Sequence, residues 1–397
     1  MKISNNYKLI LSAIVFFLSS ASVYSYPPDN AAILYYKAAM LYAPDEKIEK
    51  VLDDFSKETA DFSKANIDKI REFVSKNRST IDTLLDAAEI KNCDWGLDYS
   101  QGLEMEMPQL GNIRKMVYLV LADAKILAKD GNYETALSRC ISLYKIARHI
   151  NDRIIVAHLL GIAVNGKTNF CVMQILSSMP QDIQSLSRMK NQLAEIDSIP
   201  FLVKPGLLGD RDAILMFMTP ERISDGVTSG VAFLQEGEPL SKELNAACEK
   251  ILSFDAAAIE RSRKYLENFY VGVIAAFDMP YQQGYTAIDD LIHKAATESD
   301  TNPDAILTAI FRPALGKIFS LVTRSQTHNN AIRTAIELYM IKAKTGKLPE
   351  ELPADLPGDL FSGKPFDYEK TSNGFILCCQ GKEIGTDKIY QYEFKVK

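Results

Sequence analysis

The chain has 397 residues and a formal net charge of −6; 47% of its residues are hydrophobic and 24% are charged. This length and hydrophobic content suffice for a large core and for two or three domains, and the composition argues against disorder over most of the chain. The negative charge argues against a general nucleic-acid binder, which needs a positive field. Only four histidines are present, which limits histidine-based metal or triad chemistry.

The first 25 residues have the layout of a secretory signal. Lys2 and Lys8 form a basic start, an apolar run covers 9–18, and small residues precede a cleavage position before Tyr26. The apolar run is too short for a comfortable membrane span. We therefore expect an exported protein, located in the periplasm, at the cell envelope or outside the cell. The alternative is an uncleaved signal anchor, and membrane association is expected only in that case.

Residues 26–323 are predicted to form a helical domain, because apolar residues recur at helical spacing along most of this part. The segments 113–129 and 133–150 flank a turn at Gly131 and predict an antiparallel helix pair. The stretch Gly131–Leu137 resembles the start of the second helix of a tetratricopeptide repeat. No such repeat period recurs along the chain, so the prediction is a helix pair rather than a repeat array.

The middle of this domain is expected to be irregular. Lys204-Pro205-Gly206 is expected to break the helical pattern, because proline and glycine interrupt helices. The stretch from Thr219 to Pro239 is rich in glycine, serine and glutamate, and we expect it to be a surface loop.

Residues 324–397 are predicted to form a small α+β module. A helix from Asn330 to Lys344 would end at Gly346, which can cap it. The runs Phe375–Cys379 and Tyr390–Val396 are strand-like, and the second alternates with period two. The predicted fold class is therefore mainly α: a helical bundle or helix-pair array followed by a module of one helix and a short antiparallel sheet.

The sequence of this module carries a resemblance. Tyr339 is followed by Gly346-Lys347-Leu348-Pro349-Glu350-Glu351-Leu352 and then by Phe361-Ser362-Gly363-Lys364-Pro365-Phe366-Asp367-Tyr368. This pattern is similar to the C-terminal part of type II secretion major pseudopilins. It is closer still to a group of uncharacterised bacterial exported proteins, in which a long helical region with an irregular Cys-aromatic loop precedes the same ending; residues 93–110 resemble that loop. The resemblance implies a helix packed on a small antiparallel sheet.

Two departures limit what this resemblance implies. A pseudopilin begins with a processing site and a long apolar helix, whereas this chain begins with an ordinary signal. Pseudopilins of that type end in an acidic calcium-binding loop, whereas residues 383–390 hold too few carboxylates for a cage of about six to eight oxygens. Neither pilus assembly nor calcium binding therefore carries over to this chain.

The segment Gly161–Thr168 fits the pattern G-x-x-x-x-G-K-T of a phosphate-binding loop. In such a loop, backbone N–H groups near Gly166 would cradle phosphates, Lys167 would reach them, and the Thr168 hydroxyl would hold magnesium. This pattern gives the alternative function, a nucleotide-binding enzyme. The loop needs a strand before it and a helix after it, whereas the neighbourhood is helical. A helix that contains two glycines is therefore the default interpretation.

The irregular stretch around the only tryptophan is the candidate protein-binding surface. Trp95 and Tyr99 would supply rigid contact area and Asp94 negative charge. The alternative is that Trp95 plugs the end of a helix bundle. Six cysteines permit disulfides, but no pairing is assigned.

The functional prediction is a non-catalytic exported protein that binds a protein partner. It assigns no catalytic residue, cofactor, metal site or nucleic-acid partner. A hydrolase whose site assembles from distant residues stays open, because such a site leaves no local motif.

Overall fold

The structure is a computed structural model that describes residues 29–55, 64–197, 203–235, 242–312 and 314–396. The segment 1–25, where the signal is predicted, lies outside the described residues. The fifteen α-helices of the described part are α1 Ala31–Leu41, α2 Glu46–Phe55, α3 Lys64–Lys76, α4 Arg78–Ala88, α5 Pro108–Lys129, α6 Tyr133–Ile150, α7 Ile155–Leu176, α8 Ile183–Asp197, α9 Lys204–Phe217, α10 Pro220–Gln235, α11 Lys242–Leu252, α12 Ala256–Ala276, α13 Tyr281–Glu298, α14 Ile306–Phe311 and α15 Leu315–Thr345. Two short 3₁₀ helices cover Tyr99–Glu104 and Pro303–Ala305, and three strands cover β1 Asp367–Thr371, β2 Gly374–Cys378 and β3 Gln391–Lys395.

The predicted fold class is confirmed: the protein is mainly α with a small α+β module at its C-terminal end. The three strands form an antiparallel sheet in the order β1-β2-β3. Phe375 and Leu377 of β2 and Tyr392 and Phe394 of β3 are buried on one face of the sheet, which is apolar and packs on α15. Phe375 pairs with Phe394 across this face with stacked rings, and Tyr339 of α15 contacts both rings.

Helix α15 joins the helical part to the sheet. It is 31 residues long and begins fifteen residues before the predicted start at Asn330, because no glycine or proline breaks the pattern between Lys317 and Thr345. Residue 324, the predicted domain boundary, therefore lies inside this helix. The helix packs on α7, α8, α13 and β3 and ends as predicted at Gly346, which has a left-handed φ of 81°.

The predicted helix pair is present as α5 and α6, which pack against each other around the turn at Gly131. An ion cluster around the buried carboxylate of Asp123 ties this pair to α4. Asp123 accepts hydrogen bonds from Arg78 Nη2 at 2.7 Å and from Arg139 Nε at 2.8 Å, and its side chain is only 2% exposed. The two guanidinium groups neutralise a carboxylate that would otherwise be costly to bury.

Two predictions of irregular structure are wrong. The stretch expected to be a surface loop contains helix α10, and the expected break at Lys204-Pro205-Gly206 is the first turn of α9. In both cases a proline occupies the first turn, where its missing N–H group costs no intrahelical hydrogen bond. Thr219 Oγ1 accepts a hydrogen bond from the Arg222 N–H and so caps α10. Residues 236–239 lie outside the described residues.

Two stretches are long and apolar enough to cross a membrane, by length and composition alone: Ile155–Leu176 and Pro303–Thr345. In the structure 61% and 53% of their apolar windows are buried within the protein. Core helices of globular proteins pass the same test, so this is weak evidence for a membrane segment.

Candidate functional site

The P-loop-like segment Gly161–Thr168 lies in the middle of the continuous helix α7, so the strand, loop and helix of a nucleotide site are absent there. Backbone N–H groups inside a helix are bonded to carbonyls four residues earlier and cannot cradle a phosphate. The Thr168 hydroxyl donates to the Val164 carbonyl at 2.8 Å, and Lys167 Nζ lies 4.8 Å from the ring centroid of Tyr118. The nucleotide-binding alternative therefore loses its structural basis.

Trp95 is a core residue and plugs the helical part, as the second interpretation of this stretch predicts. Its side chain is 5% exposed and stacks on Tyr35 with ring centroids 5.3 Å apart. Its Nε1–H group donates to the His149 carbonyl at 2.8 Å. Asp94 is exposed and accepts from the Gly96 N–H, whereas the half-buried Tyr99 donates to Asp152. The three residues therefore do not form one exposed binding surface.

A polar groove lies elsewhere, between α15 on one side and α6 and α7 on the other. Its central cavity measures about 320 Å³ and is lined by Arg148 of α6, Asn165 of α7, and Ser325, Asn329 and Arg333 of α15. We call this space the central cavity. Two further cavities adjoin it, and we call the three cavities together the groove.

The two neighbouring cavities extend the central one in both directions. On one side a cavity of about 260 Å³ shares Val322, Gln326 and Leu360 with it and reaches Lys204. On the other side a cavity of about 710 Å³ shares Arg148. The groove therefore follows α15 from Phe319 to Arg333, and Arg148 connects it to the cavity beside residues 88–93.

Helical periodicity places the α15 lining on one face. Phe319, Val322, Gln326, Asn329 and Arg333 follow one another at alternating spacings of three and four residues, so they fall along a single stripe. Fourteen residues separate the ends of this stripe, which corresponds to about 21 Å of helix. The groove is therefore long and narrow rather than a compact pocket.

A chain of side-chain hydrogen bonds holds the polar floor of the central cavity. Tyr144 donates to Asn169 Oδ1 at 2.5 Å, and Asn169 Nδ2 donates to Asn329 Oδ1 at 2.8 Å. Asn165 Nδ2 also donates to Asn329 Oδ1, at 2.7 Å, and to Ser325 Oγ at 3.1 Å. Because each amide is bonded, the side chains of α6, α7 and α15 are fixed relative to one another.

The groove is more basic than the protein as a whole. Its described lining holds five basic side chains and three acidic ones, although the whole chain carries a net charge of −6. The charged lining residues are Lys91, Lys145, Arg148, Lys204, Arg333, Glu89, Glu195 and Asp278. Two ion pairs are formed among them, Lys145 with Glu89 and Lys204 with Asp278, each at 2.6 Å.

Cys93 and His149 are two titratable groups that line the cavity of about 710 Å³. Burial raises the pKa of the Cys93 thiol to about 12, so it is not a thiolate nucleophile near neutral pH. Burial lowers the pKa of His149 to about 4, and its Nδ1 is already hydrogen bonded to the Tyr35 hydroxyl at 2.7 Å. Among the described residues no cluster of three His, Cys, Asp or Glu side chains could hold a metal ion, and all six cysteines are free thiols.

The groove was not predicted from the sequence. A partial signal was present, because Asn165 and Asn169 place two amides four residues apart on the mostly apolar helix α7, and Asn329 and Arg333 have the same spacing on α15. What the sequence could not show is that these two pairs face each other. No protein-family model, curated protein or solved structure matches the chain.

Proposed function

We propose that the protein is a non-catalytic, exported binding protein that acts at the cell envelope or outside it, and that its groove binds an extended acidic segment of a partner polypeptide. The observation that carries this proposal is the basic, amide-lined groove along α15 of an otherwise acidic protein. Export is supported by the signal-like layout of residues 1–25, and by the resemblance of the C-terminal segment to proteins that are exported.

The shape of the groove favours a polypeptide over a small molecule. A stripe of about 21 Å matches about six residues of extended chain at roughly 3.3 Å per residue. Amide side chains such as Gln326 and Asn330 both donate and accept hydrogen bonds, which suits the alternating N–H and C=O groups of a peptide backbone. The excess of basic side chains favours an acidic sequence.

Binding to defined peptides tests this proposal. The full chain would be applied to arrays of heptapeptides rich in Asp and Glu, and to matched arrays in which every acid is replaced by Lys. Gln326 is exposed in the middle of the groove, so Gln326→Trp would block the groove without disturbing the core. We expect the wild-type chain to retain acidic peptides and Gln326→Trp to lose them.

The matched control places the same bulky residue outside the groove. Val271 on α12 is 64% exposed and does not line the groove, so Val271→Trp should bind as the wild type does. Equal retention of acidic and basic peptides, or equal loss with both tryptophan variants, would contradict the proposal.

A further inference from the structure

We propose that the cavity of about 260 Å³ at the Lys204 end of the groove is a specificity pocket for one large apolar side chain, a leucine or a phenylalanine, of the partner segment. We call this cavity the apolar pocket. The inference rests on the proposed function and deepens it, because it adds an apolar anchor to a segment that is otherwise acidic.

Aromatic rings form the floor of the apolar pocket. Phe277, Tyr281 and Phe319 line it, and their rings contact one another. The Phe319 ring centroid lies 4.8 Å from that of Phe277 and 5.6 Å from that of Tyr281, on which it stacks. Val322 and Leu360 line both this pocket and the central cavity, so the apolar surface continues into the rest of the groove. Such a floor suits an apolar side chain.

Most polar side chains of the described lining are already bonded within the protein. Lys204 and Asp278 form an ion pair with each other at 2.6 Å. The Tyr281 hydroxyl is hydrogen bonded to the Ser320 hydroxyl at 2.8 Å, and the Thr323 hydroxyl donates to a carbonyl of its own helix at 3.0 Å. A charged ligand group would have to break one of these bonds or lose its hydration without compensation, whereas an apolar group pays neither cost.

Large apolar side chains are exposed at the rim of the pocket. Met279 is 42% exposed and Leu360 is 37% exposed, and both line the cavity. A ligand that covers them removes apolar surface from water, which is favourable. An apolar cavity of about 150 Å³ already holds a benzene ring. The apolar pocket is larger than this, so it has room for one leucine or phenylalanine side chain.

The pocket lies at a fixed distance from the middle of the groove. Phe319 and Gln326 are seven residues apart on α15, which corresponds to about 10 Å along the helix. At roughly 3.3 Å per residue of extended chain, the apolar side chain lies about three residues from the partner residue that covers Gln326. The preference should therefore be confined to one part of the bound segment, whereas general hydrophobic adhesion would act at every position.

Methyl resonances of the full chain test the pocket without any peptide. The protein would be labelled with ¹³C-methyl methionine, and Met279 would be assigned by the loss of its resonance in Met279→Leu. Met216 is also 42% exposed and lies outside the described lining of the groove, so its resonance is the matched control. The probes are N-acetyl-leucine amide, N-acetyl-phenylalanine amide and, as a polar probe of similar size, N-acetyl-glutamine amide.

We expect the leucine or the phenylalanine probe to shift the Met279 resonance at about a tenfold lower concentration than the glutamine probe, with Met216 unchanged. Whichever apolar probe acts at lower concentration identifies the preferred side chain. Leu360→Asp should abolish this difference, because it places a charge at the rim. Leu252→Asp changes a leucine that is 49% exposed outside the groove and should preserve the difference.

Three results would overturn the apolar pocket: no shift of Met279 by any probe, equal action of the apolar and polar probes, or equal shifts of Met279 and Met216. If Leu360→Asp does not fold, the wild-type titration still decides the matter.

A leucine scan of acidic heptapeptides separates the pocket from the function on which it rests. One leucine would be placed at each position in turn, and we expect stronger retention only when it stands in one part of the peptide. Retention of acidic peptides with no gain from leucine, or with an equal gain at every position, would overturn the pocket and leave the proposed function standing. A selective shift of Met279 without retention of any acidic peptide would uphold the apolar preference and overturn the proposed function.

Discussion

Helix α15 has two halves with different surroundings. In its C-terminal half, Tyr339 is buried against Phe375 and Phe394 of the sheet, and its hydroxyl donates to the Lys395 carbonyl at 2.6 Å. Further toward its N-terminus, between Phe319 and Arg333, Gln326, Asn329 and Arg333 line the groove. The comparison teaches that one continuous helix serves as core where aromatic residues meet a sheet and presents a polar stripe where amides and an arginine line the groove.

The largest expected effect lies in the aromatic half. Tyr339→Ala should lower the free energy of unfolding of the C-terminal module by about 4 kcal/mol, because it removes a buried ring from a packed aromatic cluster. Chemical denaturation, with limited proteolysis to locate the region that opens, measures it. Tyr339→Phe keeps the ring and loses the hydroxyl with its hydrogen bonds to the Lys395 carbonyl and to Ser177, so it should cost about 1 kcal/mol. Equal losses for the two variants would show that the ring is not part of the core.

The next effect is acid destabilisation, which acts on both regions. Burial lowers the pKa of His149 beside the groove and of His158 to about 4, and that of His328 under the sheet to about 3. These imidazoles stay neutral in the folded chain while they would be protonated in the unfolded one below about pH 6.5. Stability should therefore be complete above pH 6.5 and fall as the pH drops toward 4.

Each histidine lowers the free energy of unfolding by at most about 1.4 kcal/mol for each unit by which the pH falls below 6.5. Asp210 opposes this acid destabilisation in part. Burial raises its pKa to about 6, so the folded state binds a proton more readily than the unfolded state and gains stability as the pH falls below 6. Denaturation midpoints at pH 7 and pH 5 would be compared for the wild type and His328→Phe. The variant should lose less stability than the wild type on acidification. An equal loss would mean that His328 does not resist protonation in the fold.

A smaller effect is expected at the floor of the groove. Asn329→Ala removes the acceptor shared by Asn165 and Asn169 and should cost about 1–2 kcal/mol, because two amide donors lose their partner. Thermal unfolding would measure it. A loss as large as that of Tyr339→Ala would show that the groove half of α15 is core after all, and that the two halves do not differ.

The smallest effect is expected at the exposed centre of the groove. Gln326→Ala should change stability by no more than about 0.5 kcal/mol, because the side chain is exposed. The same variant should still weaken retention of acidic peptides. A large change in the melting temperature would place Gln326 in the folded core instead of the binding surface.

Local sequence patterns predicted most elements but not how they meet. The turn at Gly131 and the cap at Gly346 were readable because both positions need a left-handed backbone that glycine adopts freely. Helix α10 was missed because its glycines and serines resemble a loop in composition, whereas Pro220 in fact starts a helix. Whether this segment forms a helix depends on its packing against the rest of the protein, and composition alone does not show that packing.

The groove was beyond prediction for a different reason. Arg148, Asn165 and Asn329 belong to three helices, and Asn165 and Asn329 are separated by 164 positions in the chain. Their convergence is a property of how α6, α7 and α15 pack. Trp95 illustrates the same limit, since only the fold shows that its ring rests on Tyr35 and is withdrawn from solvent.

Hydrogen–deuterium exchange of the full chain, with and without a saturating acidic heptapeptide from the array, tests the central claim most directly. The account predicts slower exchange in α15 between Phe319 and Arg333 and in the facing part of α7, with unchanged exchange in the sheet and in the half of α15 that it covers. Slower exchange confined to the sheet, or no change anywhere while the peptide is bound, would contradict it.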